Sequence, residues 1–291
     1  GPRDGRDNEI VDEIAPRPGE LVLAKDKTSV FAGTGLAAHL DFVIVTDHDF
    51  GNAHPWWLPQ EAWTHTQEAT DAFTAGGKFV AIAGYEWTSQ PKYWSGVGPD
   101  TPSERLFEGP PMYYNHKNVY FPARVPYLFS AKDRAFMTPD LLAAAVRKAG
   151  GLAHNNHPDA SPEGRDQWDY NEESRQVIPN TEIEADVVRY EGKEYETKVE
   201  TTVREYLDRG GRTGFVKGSD THEGKPAART AVLARELTRE AIFEALRSRR
   251  TYGISHGRIL LDFKINGCSM GEDIEIEGKP RISVDVRGTA R

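Results

Sequence analysis

The chain has 291 residues, 38% of them hydrophobic and 28% charged, with a formal net charge of −9. That length suffices for one α/β barrel, or for a domain of about 200–250 residues with a small appendage. No apolar run approaches the roughly 18 residues a spanning helix needs, and the basic residues are scattered over an acidic chain, which argues against nucleic acid and membrane as partners and for a small-molecule substrate. Cys268 is the single cysteine. An internal disulfide and a thiolate zinc site are therefore excluded, and imidazole and carboxylate are the metal ligands left. The chain reads as soluble. Its Gly1-Pro2 start resembles the scar of a tag-removing protease, so its compartment stays open between cytoplasm and export after leader removal.

After an N-terminal tail (residues 1–19), Phe42-Val-Ile-Val-Thr46 is a β-branched apolar run followed at once by Asp47-His48-Asp49, the pattern of a buried strand that delivers side chains to a site. The design recurs: Phe79-Val-Ala-Ile-Ala83 leads into Gly84-Tyr85-Glu86, Gly151-Leu-Ala153 into His154-Asn-Asn-His157-Pro158, and Thr213-Gly-Phe-Val216 into Gly218-Ser219-Asp220-Thr221-His222. Between them, Thr138 to Lys148 has helical spacing, with Thr138 as N-cap and Pro139 at the first helical position; Thr238 to Arg250 and Pro59 to Ala75 are helical too. Strands alternating with helices imply a parallel sheet with its chemistry at the C-terminal strand ends, so residues 20–256 are expected to form one barrel. Two long polar or aromatic stretches, 90–134 and 159–183, read as insertions of the kind that form lids. From residue 257 the pattern turns to alternation, with Ile259, Leu261, Phe263 and Ile265 on one face, a hairpin signal at Asn266-Gly267, and a second alternating run from Ile274 to Val286. This is a β appendage, 257–291, that reads as an unfinished sheet.

Divalent metals need carboxylate and imidazole held at bonding distance by rigid elements, and strand ends supply that rigidity. The candidates are His48, Glu86, His116, His157, Asp220 and His222. All sit at or just past a strand end except His116, which precedes the apparent strand Val119-Tyr120-Phe121. Singly, each has an ordinary alternative: Glu86 as a solvated carboxylate, Asp220 as an N-cap, His65 as a surface residue. Their joint placement carries the weight. Trp56, Trp57, Trp87, Trp94, Tyr113 and Tyr114 lie near the motifs, either as pocket walls or as packing for the long loops.

Taken in order, Thr46-Asp47-His48-Asp49, Gly84-Tyr85-Glu86-Trp87, Asn115-His116-Lys117-Asn118, Ala153 to Pro158 and Gly218-Ser219-Asp220-Thr221-His222 resemble the later motifs of the PHP (polymerase and histidinol phosphatase) superfamily. The CehA/McbA-type metallohydrolases are the branch it most resembles. Thr251-Tyr252-Gly253 and Asn266-Gly267 before Met270-Gly271 are similar to the end of that branch's barrel and its appendage. The resemblance implies a distorted TIM-like barrel of seven β/α units holding one to three zinc, manganese or iron ions. Glu86, His116 and His157 would hold one, Glu86 would bridge to a second that includes Asp220, and His48 with His222 would hold another. His154 competes with His157, whose His-Pro fits the family better. One departure stands out. The superfamily opens with a His-x-His pair, whereas the segment here that best matches it, Lys25 to Gly33, carries Lys25 and Lys27 in its place, and a protonated lysine repels a metal.

The leading function is hydrolysis of a phosphoester, ester or carbamate by a metal-activated water, with Asp220, His48 or His222 in catalytic roles and a histidine as general acid. The rival is a metal-compromised relative that binds a ligand or supports an adjacent domain. An amidohydrolase barrel ranks below both, because it needs a carboxylated lysine for which no strand end offers a candidate.

Overall fold

The computed structural model describes residues 22–26, 40–49, 60–89, 114–158, 167–184, 187–190, 193–196, 198–218, 228–255 and 259–288. Along the chain run β1 (Val22–Asp26), β2 (Phe42–His48), α1 (Gln60–Phe73), β3 (Val80–Ser89), β4 (Asn115–Tyr120), α2 (Pro139–Lys148), β5 (Leu152–Asn155), α3 (Glu172–Val177) and β6 (Asn180–Glu182). Then come β7 (Val187–Tyr190), β8 (Lys193–Glu196), α4 (Val199–Asp208), β9 (Gly214–Val216), β10 (Arg229–Val232), α5 (Arg239–Arg247), β11 (Thr251–Ile254), β12 (Ile259–Ile265), β13 (Cys268–Ser269) and β14 (Ile282–Gly288).

Among the described residues, nine strands make one mixed sheet in the order β11-β10-β1-β2-β3-β4-β5-β6-β9. It is parallel through β1-β2-β3 and through β5-β6-β9, but β4 runs antiparallel to both neighbours. The all-parallel expectation is corrected there, and β10 is likewise antiparallel to β1 and β11. β9, at one end of the strand order, also reaches β10, one strand in from the other end. Lys217, just past β9, donates its N–H to Thr230 Oγ1 on β10 at 2.7 Å, and Thr230 returns a bond to Lys217 O at 2.9 Å.

Side chains alternate along a strand, so register sorts them into two faces. One face carries Phe42, Ile44, Val80, Ile82, Tyr120 and Leu152, which pack with Ile242, Phe243 and Leu246 of α5. Burying each such side chain contributes about 1.5–3 kcal/mol. Toward the C-terminal ends of β2 and β3 the same face turns polar. The change falls at Gly84, where a Cβ would lie 2.6 Å from Val119 O and 3.1 Å from Val45 O, so only glycine lets the strands approach. The other face carries Ala83, Tyr85, Trp87, Val119 and Ala153 beneath the helices, with Trp63 of α1 and Leu142 and Val146 of α2.

Helix α2 begins as its sequence dictates: Thr138 caps Leu141 N, and Pro139 leads the first turn. Helix α5 does the same with Thr238 capping Ala241 N. The stretches 90–134 and 159–183 contain β4, α3 and β6. Beyond the main sheet, β13, β12 and β14 form a separate three-stranded sheet. Asn266 and Gly267 turn β12 into β13 with φ of 52° and 88°, the two positive values a tight hairpin demands. The principal partner of β12 is β14, and residues 274–281 are not strand, so the second alternating run is shorter than its pattern suggested. Among the described residues no helix is long and apolar enough to cross a membrane.

Candidate metal centre

Because β4 is antiparallel, its N-terminal end lies beside the C-terminal ends of β2 and β3. The register pairs His48 with Glu86, and Glu86 with Asn118, and puts Thr88 opposite His116. His116 thus lies inside β4 rather than ahead of it, on the polar end of the face that carries Phe42, Ile82 and Tyr120. β5 runs antiparallel to β4, and the Asn156 N–H continues the ladder to His116 O at 3.0 Å, which brings His157 to the same place.

Glu86 is fully buried at the centre of these residues. Its Oε1 lies 2.8 Å from His116 Nδ1, accepts from Asn156 Nδ2 at 2.8 Å, and is 3.8 Å from His157 Nε2. His157 Nε2 is 3.3 Å from His116 Nδ1. The other oxygen, Oε2, faces His48 Nδ1 at 3.6 Å. His48, Glu86 and His116 each offer a ligand atom within 4.8 Å of the other two. Metal–ligand bonds of about 2.0–2.2 Å place neighbouring donors roughly 3–3.5 Å apart, and the Glu86, His116 and His157 atoms lie 2.8, 3.3 and 3.8 Å from one another. The donor set, imidazole nitrogens around one carboxylate with no thiolate, suits a borderline divalent ion. Asn156 Oδ1 and Asn118 Oδ1 are buried beside it with no hydrogen-bond partner among the described residues, which also fits a cation rather than a dry core. The side chains of His48 and His157 are 19% and 23% exposed, so the cluster opens to solvent on their side.

Hydrogen-bond roles fix one tautomer. Thr88 Oγ1 donates to Glu86 O at 3.0 Å, so at 2.7 Å it accepts from His48 Nδ1–H. Nε2 is then the His48 nitrogen able to bind an ion or take a proton. Next to it Asp49 is fully enclosed, and its carboxylate accepts from Thr88 N at 3.0 Å and Ala131 N at 2.8 Å. Burial pushes that carboxyl up to about 7 against the opposing pull of these N–H bonds.

Two of the six proposed ligands, Asp220 and His222, lie outside the described residues, as do Trp56, Trp57, Trp94, Tyr113 and Lys27. His154 Nε2 is 3.2 Å from Asn118 Nδ2, and its ring is against Tyr120. Trp87 and Tyr114 belong to the core under the helices, with Trp87 Nε1 donating to Phe136 O. Lys117, one residue from His116, points to the opposite face, where Nζ donates to Tyr114 O at 3.1 Å. Burial holds its ammonium down to about 7. Glu182, which bonds His157, belongs to none of the sequence motifs; its one signal in the sequence is a carboxylate ending the short run Asn180-Thr181-Glu182.

Residues 176–274 match the family described as a protein of unknown function, DUF3604. An uncharacterized protein of Chlamydia trachomatis is 26% identical over 255 residues, covering 80% of this chain and 38% of its own length. One from Chlamydia muridarum is 25% identical over 256 residues, with 80% and 39% covered. The chain thus spans about two fifths of the length of these curated relatives. Among solved structures, a two-domain protein from Bacteroides vulgatus, described as containing a predicted PHP-like metal-dependent phosphoesterase, is similar with a TM-score of 0.48 and 18% identity, over 83% of this chain and 67% of that one. PsfC from Pseudomonas syringae is similar with a TM-score of 0.47 and 14% identity, over 82% and 92%.

Proposed function

We propose that the chain is a divalent-metal-dependent hydrolase of the phosphoesterase type, built on a distorted barrel of the PHP kind with the β12–β14 sheet as an appendage. The observation that carries this reading is the buried Glu86 carboxylate with His116 and His157 at one oxygen and His48 at the other. An ion held there supplies an acidified water and a Lewis acid for a phosphoryl or acyl oxygen. Glu86, His116 and His157 would hold one ion, and Asp220 and His222 would add donors for a further one. His48, on the open side with its Nδ1–H held by Thr88, would take up a proton at Nε2 and pass it to a leaving group. The substrate is a small molecule with a phosphoester, ester or carbamate bond.

The test is turnover of p-nitrophenyl phosphate, bis(p-nitrophenyl) phosphate, p-nitrophenyl acetate and an aryl carbamate by chain reconstituted with zinc or manganese. Turnover that a chelator abolishes, and that His116→Ala loses while His65→Ala keeps it, is the expected result. Failure to take up either metal overturns the reading. Uptake without turnover of any of the four favours the metal-compromised binding protein.

A further inference from the structure

His157 is held in a costly conformation. Its φ is 21°, on the positive side that a β-carbon disfavours. Both of its backbone polar groups are clamped. Asn115 Nδ2 donates to His157 O at 3.2 Å, and His157 N donates to Glu182 Oε2 at 2.9 Å. The same Glu182 oxygen is 3.1 Å from His157 Nδ1, while Glu182 Oε1 accepts from Gly218 N at 3.0 Å. Glu182 ends β6 and is only 2% exposed.

We propose that Glu182 is a positioning residue for the metal centre: it fixes His157 as the Nδ1–H tautomer, so that Nε2 is presented bare toward Glu86 and His116. This rests on the metal-dependent reading above. The chemistry follows from what each group can do. An ionised carboxylate only accepts hydrogen bonds, so His157 Nδ1 must carry the proton, and the remaining nitrogen is the one 3.3 Å from His116 Nδ1 and 3.8 Å from Glu86 Oε1. A carboxylate behind a ligating histidine both orients the ring and raises its basicity. Glu182 also joins His157 to Gly218, the residue that leads in sequence to Asp220 and His222. One buried carboxylate therefore couples two of the sequence motifs. Glutamine cannot replace it. Three N–H groups converge on its two oxygens, and an amide at this position sets its own NH2 against at least one of them.

The experiment has two readouts. Zinc affinity is measured by competition with a fluorescent chelator for wild type, Glu182→Gln and Glu182→Ala, with far-UV circular dichroism confirming the fold. Zinc binding should weaken about 10- to 100-fold in both variants. Separately, long-range 1H–15N correlation spectra of zinc-free wild-type protein, with His157→Gln for assignment, should show His157 protonated at Nδ1, and Glu182→Ala, which removes the acceptor, should lose that single-tautomer signature. A purely structural role for Glu182 would lower thermal stability without changing the tautomer. A wild-type His157 protonated at Nε2, or a folded Glu182→Gln with wild-type zinc affinity, overturns the proposal. Should the variants fail to fold, the wild-type spectrum alone decides it. Wild type that binds no zinc refutes the metal-dependent reading instead, and the tautomer then still tests the Glu182–His157 pair by itself.

Discussion

Replacing Glu86 by glutamine separates a metal-bridging carboxylate from an ordinary buried one. In the ion-free chain the change removes a fully enclosed negative charge whose Oε1 bonds His116 and Asn156. Removing one partner of a buried pair costs several kcal/mol by itself, so the zinc effect is read as a shift from each protein's own ion-free Tm. At free zinc about 100 times the dissociation constant, binding stabilises the wild type by about 2.7 kcal/mol, which for a chain of this size is an upward shift in Tm of about 5–10 °C. Glutamine offers one weakly basic oxygen where the carboxylate faces His116 and His157 on one side and His48 on the other. A loss of about 100-fold in affinity leaves only about 0.4 kcal/mol, or about 1 °C. The assay is differential scanning fluorimetry with and without zinc, on Glu86→Gln beside His65→Ala, an exposed histidine of α1 assigned to no site. An undiminished zinc shift in Glu86→Gln would refute the reasoning.

Gly84→Ala should destabilise the fold by about 2 kcal/mol or more, because the new Cβ would meet Val119 O at 2.6 Å; a urea midpoint equal to wild type would contradict this. Cys268→Ser, in the separate sheet, should leave metal content and turnover unchanged, as read by elemental analysis and the aryl phosphate assay. Burial raises the Asp71 carboxyl, but hydrogen bonds from Arg239 and Arg124 outweigh it and hold it below its ordinary 3.8. The folded chain therefore binds that proton less tightly than the unfolded one, and the stabilisation is present above about pH 4 and lost as the pH falls through the lowered value. Asp71→Asn, measured by urea unfolding without metal, should cost on the order of 1 kcal/mol at pH 7 and less at pH 3; equal losses at both would show the carboxylate charge to be irrelevant. Elemental analysis after zinc reconstitution should find between one and two equivalents per chain.

The strands that deliver the cluster were legible because β2, β3 and β5 are short apolar runs that end abruptly in polar residues, and burial on both faces forces that pattern. Helices α2 and α5 were legible from their Thr caps. The direction of β4 was not, since strand polarity depends on the path of the connection and leaves no mark in Asn115–Tyr120; that is why His116 seemed to precede its strand when it occupies one. Trp87 and Tyr114 could not be separated from pocket walls by composition, because which face an aromatic takes depends on register with strands distant in sequence. Glu182 escaped notice for a related reason. Its β6 is only Asn180–Glu182, too short for a periodic signal, and its role arises from a contact with His157 across the sheet.

The most direct measurement is an anomalous difference map, collected at the zinc absorption edge from crystals of the zinc-reconstituted chain. A peak is expected within bonding distance of Glu86 Oε1, His116 Nδ1 and His157 Nε2. Full reconstitution with no peak among those three atoms, or with zinc held only elsewhere on the chain, would contradict the proposed metal centre.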